Sequence, residues 1–292
     1  MGRDMTFGGK KREAGGDVMG LAMANLWGWK ISGAPIDRVI NNIVYELSKK
    51  DYVKPYFVVT AYSETFLETE KNPEFKKAIA GADLVLADGV SLRAAMDFNR
   101  HRTGDLAGDF FRGLQVGRDI LSGKYRGGTT GVELMRQLIK LSGKKRLKVF
   151  MLGGWGGVAG RLVKRLTIND SRLTIDWEGG PEKIEMEKEI ENSRIMDRIN
   201  KFRPDLLFVS FGRFKQEVWI ANNLVKLKTK VVMGVGSSFD ELAGEGTWPH
   251  PVPGWVEKRG LKWLWRVGKD PKHLRRAWNA FPVFAWKVFT KK

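Results

Sequence analysis

A chain of 292 residues, 42% hydrophobic and 11% aromatic, is long enough and apolar enough to bury one large core or two ordinary ones. It has no cysteine and only three histidines, His101, His250 and His273, none in a metal-binding spacing; disulfides, thiolate nucleophiles and Cys-based zinc sites are excluded. The net charge is +18, no G-x-S-x-G elbow occurs, and no apolar run approaches the ~20 residues of a membrane span.

Residues 1–24 lack the apolar core of a signal peptide and read as a flexible extension. That predicts a cytoplasmic protein, in solution or on a membrane surface. From residue 25 to about 246, apolar β-branched runs alternate with helical patterns. A strand at 56–59 ends on Thr60 and precedes a helix at 63–71. The run 82–87 reads as a short buried strand that delivers Asp88-Gly89, with Ser91 capping a helix to about residue 97. Residues 98–130 are rich in Arg and Gly and weakly periodic, and read as an insertion or mobile loop. The strand 147–152 runs through a glycine cluster into a helix at 158–166. The strand 173–177 precedes a long charged helix at 182–202. Strands at 206–211 and 231–235 lead into helices at 215–227 and 237–243. This alternation specifies βαβ units in an α/β, Rossmann-like core, with a mainly parallel sheet and helices on both faces.

Pro249, Pro251 and Pro253 mark a linker across 244–254, and 247–292 reads as a basic helical appendage. Residues 253–292 hold eleven Lys or Arg against two acids, Glu257 and Asp270, which is half of the net charge. They also hold five of the eleven tryptophans. Such a segment suits an anionic membrane surface, where indoles sit among headgroups. It suits nucleic acid as well, and a helical layer packed on the core with a solvated basic face is the plain alternative.

In open α/β sheets, ligands bind beyond the carboxyl ends of the strands. Those ends carry Thr60, Asp88, the cluster beginning Gly153-Gly154, Lys215-Gln216 and Asp240. Alone, Asp88-Gly89 is a common strand-to-helix turn; at a shared rim, its carboxylate can take a proton from a substrate hydroxyl. Gly154 to Ala159 fits G-x-G-x-x-A, and Asp176 follows on the next strand, which is the dinucleotide pattern. Trp155 is bulky for that tight turn, and a generic tight turn, or a loop near a nucleotide-sugar, fits better than one holding NAD. No Asp-x-Asp pair is present to hold a metal on a nucleotide diphosphate. A transferase built on this chain would neutralise its leaving group with Arg, Lys or helix amino ends.

Four stretches together resemble the WecG/TagA/CpsF family of bacterial glycosyltransferases. They are Ala82-Asp-Leu-Val-Leu-Ala-Asp-Gly89, Val149-Phe-Met-Leu-Gly-Gly154, Arg203-Pro-Asp-Leu-Leu-Phe-Val-Ser-Phe-Gly212 running into Lys215-Gln-Glu-Val-Trp219, and Gly234-Val-Gly-Ser-Ser-Phe-Asp-Glu-Leu-Ala-Gly244 with Gly260-Leu-Lys-Trp-Leu-Trp-Arg266 beyond it. The resemblance implies an inverting, metal-independent enzyme on the cytoplasmic membrane face. It would move N-acetylmannosamine, or a related N-acetylhexosamine or uronic acid, from UDP to a polyprenyl-diphosphate-linked sugar in cell-surface polysaccharide synthesis. It implies Asp88 as general base, Thr60 and Gln216 as site-lining groups and Asp240 as a nucleotide-binding acid. Arg266, Lys272 and Arg276 would close over the diphosphate and touch the membrane.

The chain departs from the family at several points. Tyr62 stands where Thr-x-Asn is usual, Gly131-Val132-Glu133 replaces a Gly-Thr/Ser-Asp step, and Pro249 to Pro253 replaces an Arg-Ala-Pro segment. Tyr62 and Glu133 therefore join the candidate substrate-binding residues with Gly153 and Gly154. The partners expected are a UDP-sugar, used as substrate with no cofactor or metal, a lipid-linked acceptor and an anionic membrane, with no nucleic acid. Phe281, Phe284 and Trp286 suit a subunit contact as well as a bilayer, leaving a homo-oligomer open. The competing readings are an NAD-dependent oxidoreductase using Gly154 and Asp176, and a basic nucleic-acid-binding protein.

Overall fold

A computed structural model describes residues 21–125, 128–180, 188–244, 253–254, 256, 265, 267–268, 274 and 278–291. The elements are, in order, β1 (Met23–Leu26), β2 (Trp29–Ser32), α1 (Ile36–Ser48), β3 (Tyr56–Ala61), α2 (Ser63–Thr69), α3 (Pro73–Ala80), β4 (Leu84–Ala87), α4 (Val90–Arg100), α5 (Leu106–Ser122), α6 (Gly131–Lys145), β5 (Lys148–Gly153), α7 (Val158–Asn169), β6 (Thr174–Glu178), α8 (Lys188–Phe202), β7 (Leu206–Ser210), α9 (Lys215–Asn223), β8 (Val231–Gly234), α10 (Ser238–Ala243) and α11 (Phe284–Thr290).

The eight strands form one sheet in the order β1-β2-β4-β3-β8-β7-β5-β6, parallel throughout except for the β1–β2 hairpin at one edge. This is the mainly parallel α/β core that the alternation predicts. Strands β4, β7 and β8 are buried at every position, as strands covered on both faces must be. Val59, Val85, Phe150, Leu207 and Val232 pack against α2, α3, α4, α5, α8, α9 and α11. On the other face, Val58, Leu84, Met151, Phe208 and Met233 pack against α1, α6, α7 and α10.

Two stretches differ from the sequence reading. Met23 and Ala24, expected in a flexible extension, pair with Ser32 and Ile31 in β1; residues 1–20 lie outside the described residues. The stretch 98–130, expected as an insertion or mobile loop, carries the 17-residue helix α5. Asp105 accepts the Gly108 N–H at its start and Gly123 ends it in the left-handed region, both ordinary helix signals. The helical period was obscured because α5 turns Asp109 inward and much of its apolar surface outward.

The end of the appendage is a packed layer. Phe284 and Val288 of α11 are buried, with the Phe284 ring edge-on to Trp27 at 5.6 Å. Phe284 is thus part of the core and not available to a bilayer or a second subunit; Trp286 remains exposed. No helix among the described residues is long and apolar enough to cross a membrane.

Candidate active site

Connections leave neighbouring strands toward opposite faces at the carboxyl rim. β3 leads into α2 on one face, whereas adjacent β8 leads into α10 on the other. Such a divergence opens a crevice at the rim. The register pairs Val59 with Gly234, so Thr60 stands level with Val235 across that crevice.

Asp88 occupies one wall. Its backbone N–H donates to Ala61 O at 2.7 Å, which extends the β3–β4 pairing past the end of β4. Its carboxylate Oδ2 accepts the Gly131 N–H at 2.9 Å, the first amide of the 15-residue helix α6. An anion is stabilised at a helix amino end by the unpaired amides and the dipole. Thr60, half-buried at the end of β3, shares this contact: a Cβ on Gly131 would lie 3.1 Å from Thr60 Oγ1 and 3.5 Å from Asp88 Oδ2. A side chain at residue 131 would therefore need Thr60 or the start of α6 to give by a few tenths of an ångström. Asp88, Thr60 and the start of α6 therefore form one cluster.

Arg93, one turn into α4, joins the cluster electrostatically. Burial pushes its pKa below the ordinary guanidinium value, while the Asp88 carboxylate acts in the opposite direction. Its Nη1 donates to Tyr125 O at 3.0 Å. Nothing in the sequence singled out Arg93 beyond its helical position five residues after Asp88.

The other wall is built from β7, β8 and the start of α9. Gln216 is buried; its Oε1 accepts the Gly236 N–H at 2.9 Å and its Nε2 donates to Glu217 Oε1 at 2.8 Å. Ser210 Oγ donates to Gly236 O at 2.6 Å. Glu217, a member of the Lys-Gln-Glu motif that the sequence reading left without a role, is buried with its Oε2 lacking a hydrogen-bond partner. Burial pushes its carboxyl up to about 7. Asp240 lies half-buried in the first turn of α10, beyond β8.

The remaining candidates make other contacts or lie outside the described residues. Tyr62 follows β3, and its N–H donates to Thr65 Oγ1 at 3.1 Å as α2 begins. The Glu133 carboxylate turns along α6 to Arg136 and Gln137, and does not join Asp88 in the hydrogen bonds described. Gly153 and Gly154 meet the end of β7: a Cβ on Gly153 would come within 2.3 Å of Ser210 O, and Gly154 N–H donates to that oxygen at 2.9 Å. Close approach to β7 thus calls for glycine at 153, and close approach to Val158 and Phe239 calls for it at 154. Arg266, Lys272 and Arg276 lie outside the described residues.

The dinucleotide reading meets two obstacles. Asp176 pairs in register with Phe150, two residues short of the end of β6, not at the rim. Its carboxylate is held by Arg198 of α8 at 2.8 Å and by the Trp177 N–H at 2.8 Å, so it is already engaged by the protein.

Comparison with known proteins identifies the family. Curated relatives include the N-acetylglucosaminyldiphosphoundecaprenol N-acetyl-beta-D-mannosaminyltransferases of Staphylococcus aureus strains MRSA252 and MW2, 29% and 28% identical over 162 residues. Those matches cover 56% of this chain and 60% of each relative, so the chain spans about three-fifths of their length. The model of the glycosyl transferase WecG/TagA/CpsF family matches residues 24–107 and 112–292, which takes in Thr60, Asp88, α6 and both crevice walls. The chain belongs to that family.

Proposed function

We propose that this chain is an inverting glycosyltransferase that moves N-acetylmannosamine, or a related N-acetylhexosamine or uronic acid, from UDP to a polyprenyl-diphosphate-linked sugar. The observation that carries the reading is the Asp88 carboxylate, held at the rim by the first amide of α6 beside Thr60. The names of the relatives, which describe transfer to a lipid diphosphate-linked sugar, support the substrate class.

In this reading Asp88 takes the proton of the acceptor hydroxyl. The oxygen attacks the anomeric carbon, the bond from that carbon to the UDP oxygen breaks, and the configuration inverts in one displacement. The Gly131 N–H holds one carboxylate oxygen, Oδ2, in place. Gln216 and Asp240 line the wall assigned to the nucleotide. Arg266, Lys272 and Arg276 are assigned to the departing diphosphate, where cations stabilise the developing charge. Transfer is expected at the inner membrane surface and without a divalent metal.

Asp88→Asn is the decisive variant. It should keep the fold and UDP affinity and lower turnover by ~10²–10⁴-fold, the usual share of a general base. Near-normal turnover would remove Asp88 from the reaction. UDP affinity measured by calorimetry should be unchanged by EDTA, and a strict need for Mg²⁺ or Mn²⁺ would contradict the metal-free mechanism.

A further inference from the structure

Helix α5 turns an apolar face outward. Leu106, Phe110, Phe111, Leu114 and Leu121 are 77%, 54%, 68%, 57% and 65% exposed. At about 100° per residue, Leu106, Phe110, Leu114 and Leu121 fall on one stripe together with Gly117, and Phe111 flanks it beside Arg118. Soluble monomers seldom leave a contiguous patch of this kind uncovered. The acids of the helix point elsewhere: Asp109 is buried against Arg102 at 2.7 Å, and Asp119 meets Lys124 at 2.6 Å. Arg118 is exposed at the edge of the stripe, and Arg100 is exposed at the end of α4.

The start of α5 is tied to the aromatic C-terminal layer. The Arg102 side chain, between α4 and α5, donates to Asp109 through Nε and to the carbonyls of Phe289 and Lys291 through Nη2 and Nη1. It thereby ties the start of α5 to the end of α11, which exposes Trp286. α5 also lies between the two elements that hold the candidate base. It follows α4, which begins just after Asp88, and precedes α6, whose first amide holds the carboxylate.

We infer that the outward face of α5 docks into the headgroup region of an anionic bilayer and holds the Asp88 crevice at the membrane surface. An apolar stripe flanked by arginine, on a chain of net charge +18, is complementary to such a surface. A second copy is the competing occupant, and the test below separates it. The inference rests on the reading of the chain as a transferase for a lipid-linked acceptor, and it adds a docking element separate from the basic tail.

The test uses the full chain and vesicles of equal parts phosphatidylglycerol and phosphatidylcholine. The triple variant Phe110→Ser, Phe111→Ser, Leu114→Ser changes no charge and removes exposed side chains only. Ile168→Ser, at an exposed site on α7 across the sheet, is the control. Partitioning should fall at least about tenfold in the triple variant and stay within about twofold of wild type in the control. If the triple variant loses its thermal transition, Phe111→Ser alone carries the test, with a fall of about threefold expected. Wild-type partitioning in the variant overturns the inference. So does a wild-type dimer that the variant converts to monomer while vesicle binding persists. Transfer to a detergent-solubilised acceptor is measured in parallel: its absence in the wild type would count against the transferase reading and leave the vesicle result standing.

Discussion

A single methyl group at Gly131 probes the Asp88–α6 contact at the smallest scale. In Gly131→Ala the new Cβ would lie 3.1 Å from Thr60 Oγ1, 3.4 Å from Thr60 Cγ2 and 3.5 Å from Asp88 Oδ2. The backbone there is the first residue of α6, so alanine is not strained, and helix propensity favours it by up to about 1 kcal/mol. Relieving the 3.1 Å contact requires Thr60 or the start of α6 to give by a few tenths of an ångström. The 2.9 Å Gly131–Asp88 hydrogen bond moves with it. Misplacing a catalytic group by 1 Å costs about 10²-fold, so a third of that should cost about threefold to tenfold in kcat. UDP affinity should not change and the melting temperature should not fall. In a Thr60→Ala background the crowding is gone, and the added cost of Gly131→Ala should vanish, a non-additivity expected of touching groups. Unchanged kcat, or the same penalty in both backgrounds, would refute the geometry.

Glu217→Gln should flatten the pH dependence of stability. The wild-type carboxyl titrates near 7 when folded and near 4.5 when unfolded, so its destabilising effect is absent below about pH 4.5, grows as pH rises and saturates above about pH 7. The variant should therefore gain up to about 3 kcal/mol over wild type between pH 4.5 and 8 in urea titrations; parallel curves would show that Glu217 is not the titrating group. Phe284→Ala should lower stability by about 3 kcal/mol, because the ring is buried against Trp27 and the α4 layer. A loss below about 0.5 kcal/mol, the range of surface substitutions, would mean that α11 is not part of the cooperative core.

The central strands were legible because their residues are apolar on both faces: 206–210 and 231–234 are buried at every position. The edge hairpin was not. β1 alternates exposed and half-buried positions before Leu26, and the β1–β2 turn uses Trp27 and Gly28 at φ 55° and 86°. Two-residue hairpin turns of that conformation ordinarily announce themselves with Asn-Gly or Asp-Gly, and tryptophan hides the signal. Here the asparagine sits two residues earlier, with Asn25 Oδ1 accepting the Gly28 N–H at 2.8 Å. Helix α5 escaped for the opposite reason, since its outward apolar face reverses the usual pattern. At the site, Asp88, Thr60 and Gln216 stood at strand or helix ends where a pattern exposes them. Arg93 and the Gly131 amide could not be read, because their link to Asp88 depends on how α4 and α6 meet at the rim.

That meeting supports the proposal that the acid after β4 takes the proton. The chain leaves Asp88 through Gly89 at φ 100°, a conformation that suits glycine, and enters α4 on one face of the sheet. The Asp88 side chain instead bonds the amino end of α6, which packs on the opposite face. The backbone commits to one layer and the carboxylate to the other, so the carboxylate lies over the strand ends between them. Asp176 has no such arrangement: it sits within β6, and Arg198 of α8 holds it. Glu133 begins at the same helix end as the Asp88 contact but spends its oxygens on Arg136 and Gln137 one turn further along α6. Glu217 is at the crevice wall, yet it is enclosed beneath Gln216, and burial favours its neutral form up to about pH 7. A carboxylate that must accept a proton from a sugar hydroxyl needs reach over the rim and a fixed orientation, and the α6 amide supplies the second while the Gly89 turn supplies the first.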